Sequence, residues 1–166
     1  MRTTHGAKAA GLAGLSEHQL REWTVRRALI PPDVKPSGRG DASKFCWQTI
    51  LVLRIAATLR GELRLELSHY VEMFAALRQA LAGTSFLELW GKVLVIQGPL
   101  RWNLLDADDR ASQLDGIRLA LDPHLKVLAT GFELASPGGR GQLEMFPAQV
   151  VHSPIGPSVS RGRRRA

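Results

Sequence analysis

The chain is 166 residues long, 45% hydrophobic by composition, and carries a net charge of +7. That length suits one ordinary domain or two small units joined closely. No apolar run approaches the ~18 residues of a membrane span, and the N-terminus lacks the long apolar stretch of a secretory signal. Cys46 is the single cysteine, so no internal disulfide can form, and a reducing, cytoplasmic compartment is expected.

The charge is unevenly spread. Residues 1–65 hold eleven Lys and Arg against five Asp and Glu, residues 66–157 hold seven against ten, and the stretch from Ser158 holds four Arg and no acid. A basic head beside a mildly acidic middle is the pattern of a nucleic-acid-binding unit joined to an interaction body.

Residues 1–6 read as a frayed end. Ala7–Ala13 reads as a short helix, broken at Gly14-Leu15. Ser16 opens a second helix. Its hydroxyl suits an N-cap, and Gln19, three residues on, completes a capping box. Leu20, Trp23 and Arg27 share a stripe that turns the first two toward a core. Pro31-Pro32 stops this helix. Residues 31–43 are loop by composition, and Lys44-Phe45 suits the end of a very short strand. Trp47–Arg60 is a third helix, apolar nearly all round and therefore expected between two layers.

Gly61 interrupts, and Glu62–Leu81 repeats apolar residues at three- and four-residue steps, predicting a fourth helix. The periodicity changes after Gly83. Lys92–Ile96 is a β-branched run between Gly91 and Gly98, which predicts a strand. Arg101–Leu105 and Gly116–Leu121 read as two more. Asp122-Pro123 suits the start of a short helix carrying Leu125, Leu128 and Phe132. Leu143–Val151 suits one more extended piece, and the Pro-, Gly-, Ser- and Arg-rich end has too little apolar surface to fold.

A short helix, a Gly-containing turn and a capped second helix make a helix-turn-helix. In such a motif the leading residues of the second helix reach base edges in the major groove. Here those are Glu17, His18, Gln19 and Arg21, behind the Ser16 cap. Gln pairs bidentately with adenine and Arg with guanine. Arg26 and Arg27 close the helix within reach of phosphate.

The run Leu20-Arg21-Glu22-Trp23, then Arg26-Arg27-Ala28-Leu29-Ile30-Pro31-Pro32, a Gly- and Arg-containing loop, Lys44-Phe45-Cys46 and a helix with Leu53-Arg54-Ile55 resembles the MerR-type winged helix-turn-helix. The resemblance covers about residues 7–60. It implies a cytosolic bacterial transcription regulator that binds duplex DNA as a dimer, with Gln19 and Arg21 facing DNA and Arg39 and Lys44 on a wing. Ala28 stands where that family has Gly, Ser43 where it has the wing Arg, and Glu22 at an aromatic position. The long dimer helix and metal-binding Cys cluster of some members are absent, so no metal is carried over.

The expectation is therefore an α+β chain, mainly α. A winged helix-turn-helix spans 1–60, a helix plus small α+β body for dimerisation or partner binding spans 61–152, and a disordered basic tail spans 153–166. The DNA-binding residues are Ser16, His18, Gln19, Arg21, Arg26, Arg27, Arg39 and Lys44. The expected partners are double-stranded DNA and a second copy of the chain, with a protein held by the body as the further candidate, in a cytoplasmic, nucleoid-associated setting without membrane contact. The rival expectation is an antitoxin-like protein whose body neutralises a toxin while its head regulates its own operon. No pair among the five His has ligand spacing with Cys or carboxylate, and Asp106, Asp108, Asp109 and Asp115 match no calcium loop. No enzyme, cofactor or metal is expected.

Overall fold

The capping box at Ser16 forms as its spacing requires. Ser16 Oγ accepts the Gln19 N–H at 3.1 Å, and Gln19 Oε1 accepts the Ser16 N–H at 3.0 Å. The structure, a computed structural model, describes residues 2–38, 41–107 and 113–137. Within them the chain is mixed α+β. It runs β1 (Thr4–His5), α1 (Gly6–Ala13), α2 (Glu17–Arg21), β2 (Lys44–Phe45), α3 (Trp47–Gly61), α4 (Val71–Ala82), β3 (Lys92–Ile96), β4 (Trp102–Asp106), β5 (Ile117–Ala120) and α5 (Asp122–Phe132).

Residues 4–6 are not a frayed end. Thr4 pairs with Phe45 and His5 with Lys44 in an antiparallel two-strand ladder, so the first residues close over the end of the long loop. Gly14 ends α1 in the left-handed region at φ 72, and its N–H donates to Ala10 and Gly11 carbonyls. That conformation is open to glycine at little cost.

α2 does not continue as a regular α-helix to Ile30. Residues Glu22–Arg26 form a π turn, in which the Arg27 N–H reaches the Glu22 carbonyl at 2.8 Å. Such single-turn insertions often sit at functional sites. The chain then reverses at Ala28, φ 49, and the Leu29 N–H closes the end on the Trp23 carbonyl at 2.8 Å.

The fourth helix begins later than its periodicity predicts. Arg64 sits at φ 56, a left-handed conformation that no α-helix passes through. The Leu65 N–H returns to the Leu59 carbonyl at 3.0 Å and ends α3 instead. A 3-10 turn at Leu67–Tyr70 then leads into α4. The two later strands are displaced slightly, to Trp102–Asp106 and Ile117–Ala120. The expected extended piece at 143–151 and the tail 153–166 lie outside the described residues.

α3 is the central rod. Ile50, Leu51, Val52 and Leu53 are all fully buried, because α1, α4 and α5 pack around it. Ala9 and Ala13 from α1 join Leu125, Leu128 and Phe132 from α5 in one core cluster, so that core runs through both the N-terminal segment and the later body. Arg54 on α3 donates Nη1 to the Leu12 carbonyl at 2.6 Å. A cation there complements the C-terminal end of α1, while burial pulls its pKa below the ordinary arginine value.

The three-stranded sheet has the order β4-β3-β5 and is antiparallel throughout. Leu94 lies opposite Leu104 and Leu119, and Ile96 opposite Trp102 and Ile117. This alternate set turns one face toward the common core. Among the described residues no helix is long and apolar enough to cross a membrane.

Candidate nucleic-acid interface

The hydrophobic stripe that runs from α2 into the π turn determines what the outer face offers. Leu20 and Trp23 are buried, at 6% and 7% exposure, which leaves Glu17, His18, Gln19 and Arg21 on the solvent side. Thr24 is buried too, and its hydroxyl is satisfied by the Leu20 carbonyl at 2.7 Å. The π turn brings Val25 to the surface at 53% exposure and Arg26 beside it.

This outer face forms one wall of a groove of about 520 Å³. His18, Arg21, Val25 and Arg26 line it from the helix, and Pro36, Asp41 and Ser43 line it from the loop before β2. The loop is held in shape by Asp41. Its Oδ2 accepts the Ser37 N–H at 3.1 Å and the Ser37 hydroxyl at 2.9 Å, and its Oδ1 accepts the Ala42 N–H at 3.0 Å. These hydrogen bonds, with the Lys44 charge nearby, hold the Asp41 carboxyl below the usual carboxylate range. Lys44 is anchored through its backbone, its N–H donating to the Val34 carbonyl at 3.0 Å. Its side chain is exposed and forms no hydrogen bond or ion pair among the described residues.

The expected site residues therefore separate into groups. His18 and Arg21 are exposed on the groove, with side chains unbonded among the described residues. Arg26 lines the same groove and lies 3.5 Å from Glu22, with its side chain 65% exposed. Ser16 and Gln19 are exposed but engaged in their reciprocal cap, so base contact through Gln19 Oε1 would compete with the helix start. Arg27 is directed elsewhere, its Nη2 donating to Glu66 at 3.1 Å. That hydrogen bond is the largest cause holding the Glu66 carboxyl below its ordinary value. Arg39 lies outside the described residues.

Val25 and Asp41 belong to this face and escape a reading of sequence alone. Val25 is apolar and would be assigned to a core, and its outward position depends on the extra residue in the π turn. Asp41 carries a turn-forming side chain in a loop, a signal that was present in composition.

Elsewhere, Cys46 is buried and His69 exposed. Among the described residues no three His, Cys, Asp or Glu are grouped as a metal ion would need. The chain matches no known protein-family model and no curated protein sequence.

Proposed function

We propose that the chain is a sequence-specific duplex-DNA-binding transcription regulator. On this reading residues 1–60 act as a winged helix-turn-helix. α2 enters the major groove, and the loop before β2 serves as a wing along the phosphates. His18 and Arg21 would meet base edges, Arg26 and Lys44 would meet phosphate, and Val25 would offer an apolar contact of the kind a thymine methyl accepts. Two copies, joined through the body, would read half-sites about one helical turn apart. The observation that carries the proposal is the convergence of His18, Arg21 and Arg26 with the loop on one exposed groove, backed by a helix whose other face is buried.

The experiment is selection from random duplexes, followed by binding titrations with variants. Arg21→Ala should lower affinity for the selected site by roughly 1–3 kcal/mol, the value of one good bidentate base contact. Arg27→Ala, which removes a side chain committed to Glu66, should leave site preference unchanged. A chain that selects no sequence, or an Arg21 variant with unaltered preference, would overturn the reading.

A further inference from the structure

A second groove, of about 670 Å³, lies between the segment leaving α2, the start of α3 and the face of α4. Its walls are mainly apolar, with Ile30 on one side and Phe74 and Ala75 on the other. That volume falls within the roughly 300–1,000 Å³ of small-molecule sites. The groove does not touch the α2 face described above, and its occupancy would stand whether or not the chain binds DNA.

The polar groups of its wall define what could enter. Arg78 donates Nη1 to the Pro31 carbonyl at 2.6 Å, and its Nη2 lies 3.6 Å from Asp33 Oδ1. Asp33 also accepts hydrogen bonds from the Cys46 N–H and the Thr49 hydroxyl, so its carboxylate is satisfied as well as charge-paired. The Cys46 thiol is pushed up by burial and so stays uncharged at neutral pH. The lining therefore presents no uncompensated charge. Gln48 lines the same groove, and its amide Oε1 is buried with no hydrogen-bond partner among the described residues. An unpaired buried acceptor is costly, and rotation about the broad last torsion of the Gln48 side chain would turn its oxygen toward an occupant of the groove.

We infer that this groove is a binding site for an uncharged, mainly apolar small molecule that carries one hydrogen-bond donor for Gln48. The two wall charges, Arg78 and Asp33, are committed to each other, so an ionic ligand would lose its hydration without gaining an unpaired counter-charge. The apolar lining supplies the affinity, and Gln48 supplies the polar selection.

N-phenyl-1-naphthylamine, which is uncharged and has one N–H, is the probe. Its fluorescence should rise saturably with the full chain. 8-Anilinonaphthalene-1-sulfonate, the same aromatic body with a charge, should bind at least tenfold more weakly at this site. Ala75→Trp or Ala82→Trp, at exposed lining positions of α4, should weaken the neutral probe at least tenfold, and Val127→Trp, at an exposed position of α5 away from the groove, should not. Gln48→Leu should weaken it several-fold while leaving the N-methylated probe, which has no donor, unaffected. No saturable signal, binding indifferent to both tryptophans, equal binding of the sulfonate at the tryptophan-sensitive site, or equal effects of Gln48→Leu on the two neutral probes would each overturn the inference.

Discussion

Asp33 and Thr49, sixteen positions apart, are joined by a 3.0 Å hydrogen bond from the buried Thr49 hydroxyl to Asp33 Oδ1. The other carboxylate oxygen accepts the Cys46 N–H at 2.7 Å. Cys46 is the N-cap of α3 yet makes no side-chain cap of its own, so a residue from the preceding loop caps the central helix. A carboxylate in that position also complements the positive end of the helix. Asp33→Ala should therefore destabilise the chain by about 1–3 kcal/mol, because it removes the acceptor of the Cys46 N–H and leaves the buried Thr49 hydroxyl only its longer 3.5 Å contact with the Cys46 thiol. Asp33→Asn, which retains an acceptor, should cost less. Chemical denaturation of the three chains measures the order.

Ala28 offers a test in the opposite direction. It holds φ 49 without being glycine, a conformation that costs an L-residue roughly 1–2 kcal/mol. Ala28→Gly relieves this but adds freedom to the unfolded chain. The net expectation is a gain of about 1 kcal/mol, seen as a rise in Tm of about 2–4 °C for a chain of this size. A fall in Tm would contradict the backbone assignment.

His124 makes stability depend on pH. Burial, and then the Arg54 charge, lower its pKa from the ordinary 6.5 in the folded chain. The unfolded chain consequently takes up the proton first as pH falls. Its contribution is fully present above pH 6.5 and is lost progressively below that value. Its Nδ1 is buried without a hydrogen-bond partner among the described residues, so an apolar replacement has little to forfeit. His124→Leu should retain stability at pH 8 and flatten the loss between about pH 7 and 5. Denaturation midpoints across that range test it, and an unchanged slope would assign the loss to other groups.

Gly131 lies on α5 where a methyl group would collide with the Leu12 side chain of α1. Alanine is the better helix former by about 1 kcal/mol, but overpacking costs typically 1–3 kcal/mol. Gly131→Ala alone should be neutral to destabilising. In a Leu12→Ala background the same change should become stabilising, and the difference measures the α1–α5 contact.

Lys44 supplies a test of the proposed wing that does not depend on base recognition. Lys44→Ala should weaken DNA binding about equally for all sequences and reduce the slope of log affinity against log salt by about 0.9. A changed site preference with an unchanged slope would remove Lys44 from the phosphate contacts.

Much of the local structure was legible because it depends on neighbours in sequence. Ser16 and Gln19 cap α2 at the spacing a capping box needs. The β-branched run at Lys92–Ile96 is a strand, and Asp122-Pro123 starts α5. What escaped reading depends on distant partners or on unusual backbone. Thr4–His5 becomes a strand only because Lys44–Phe45 lies beside it. The apolar rhythm of Leu63 and Leu67 suggests a continuous helix, but Arg64 takes the left-handed turn that ends α3. Of the candidate site, His18 and Arg21 follow directly from helix phase. The commitment of Arg27 to Glu66, 39 positions away, does not.

The π turn also has a consequence for chain length. Deleting one residue between Glu22 and Arg26 would let the ladder revert to regular α spacing, and everything downstream would swing by about 100°, one residue's share of a 3.6-residue turn. Val25 and Arg26 would leave the groove even though every remaining side chain was intact. This stretch is therefore sensitive to length as well as composition, and a deletion there would disable the face more thoroughly than most point substitutions.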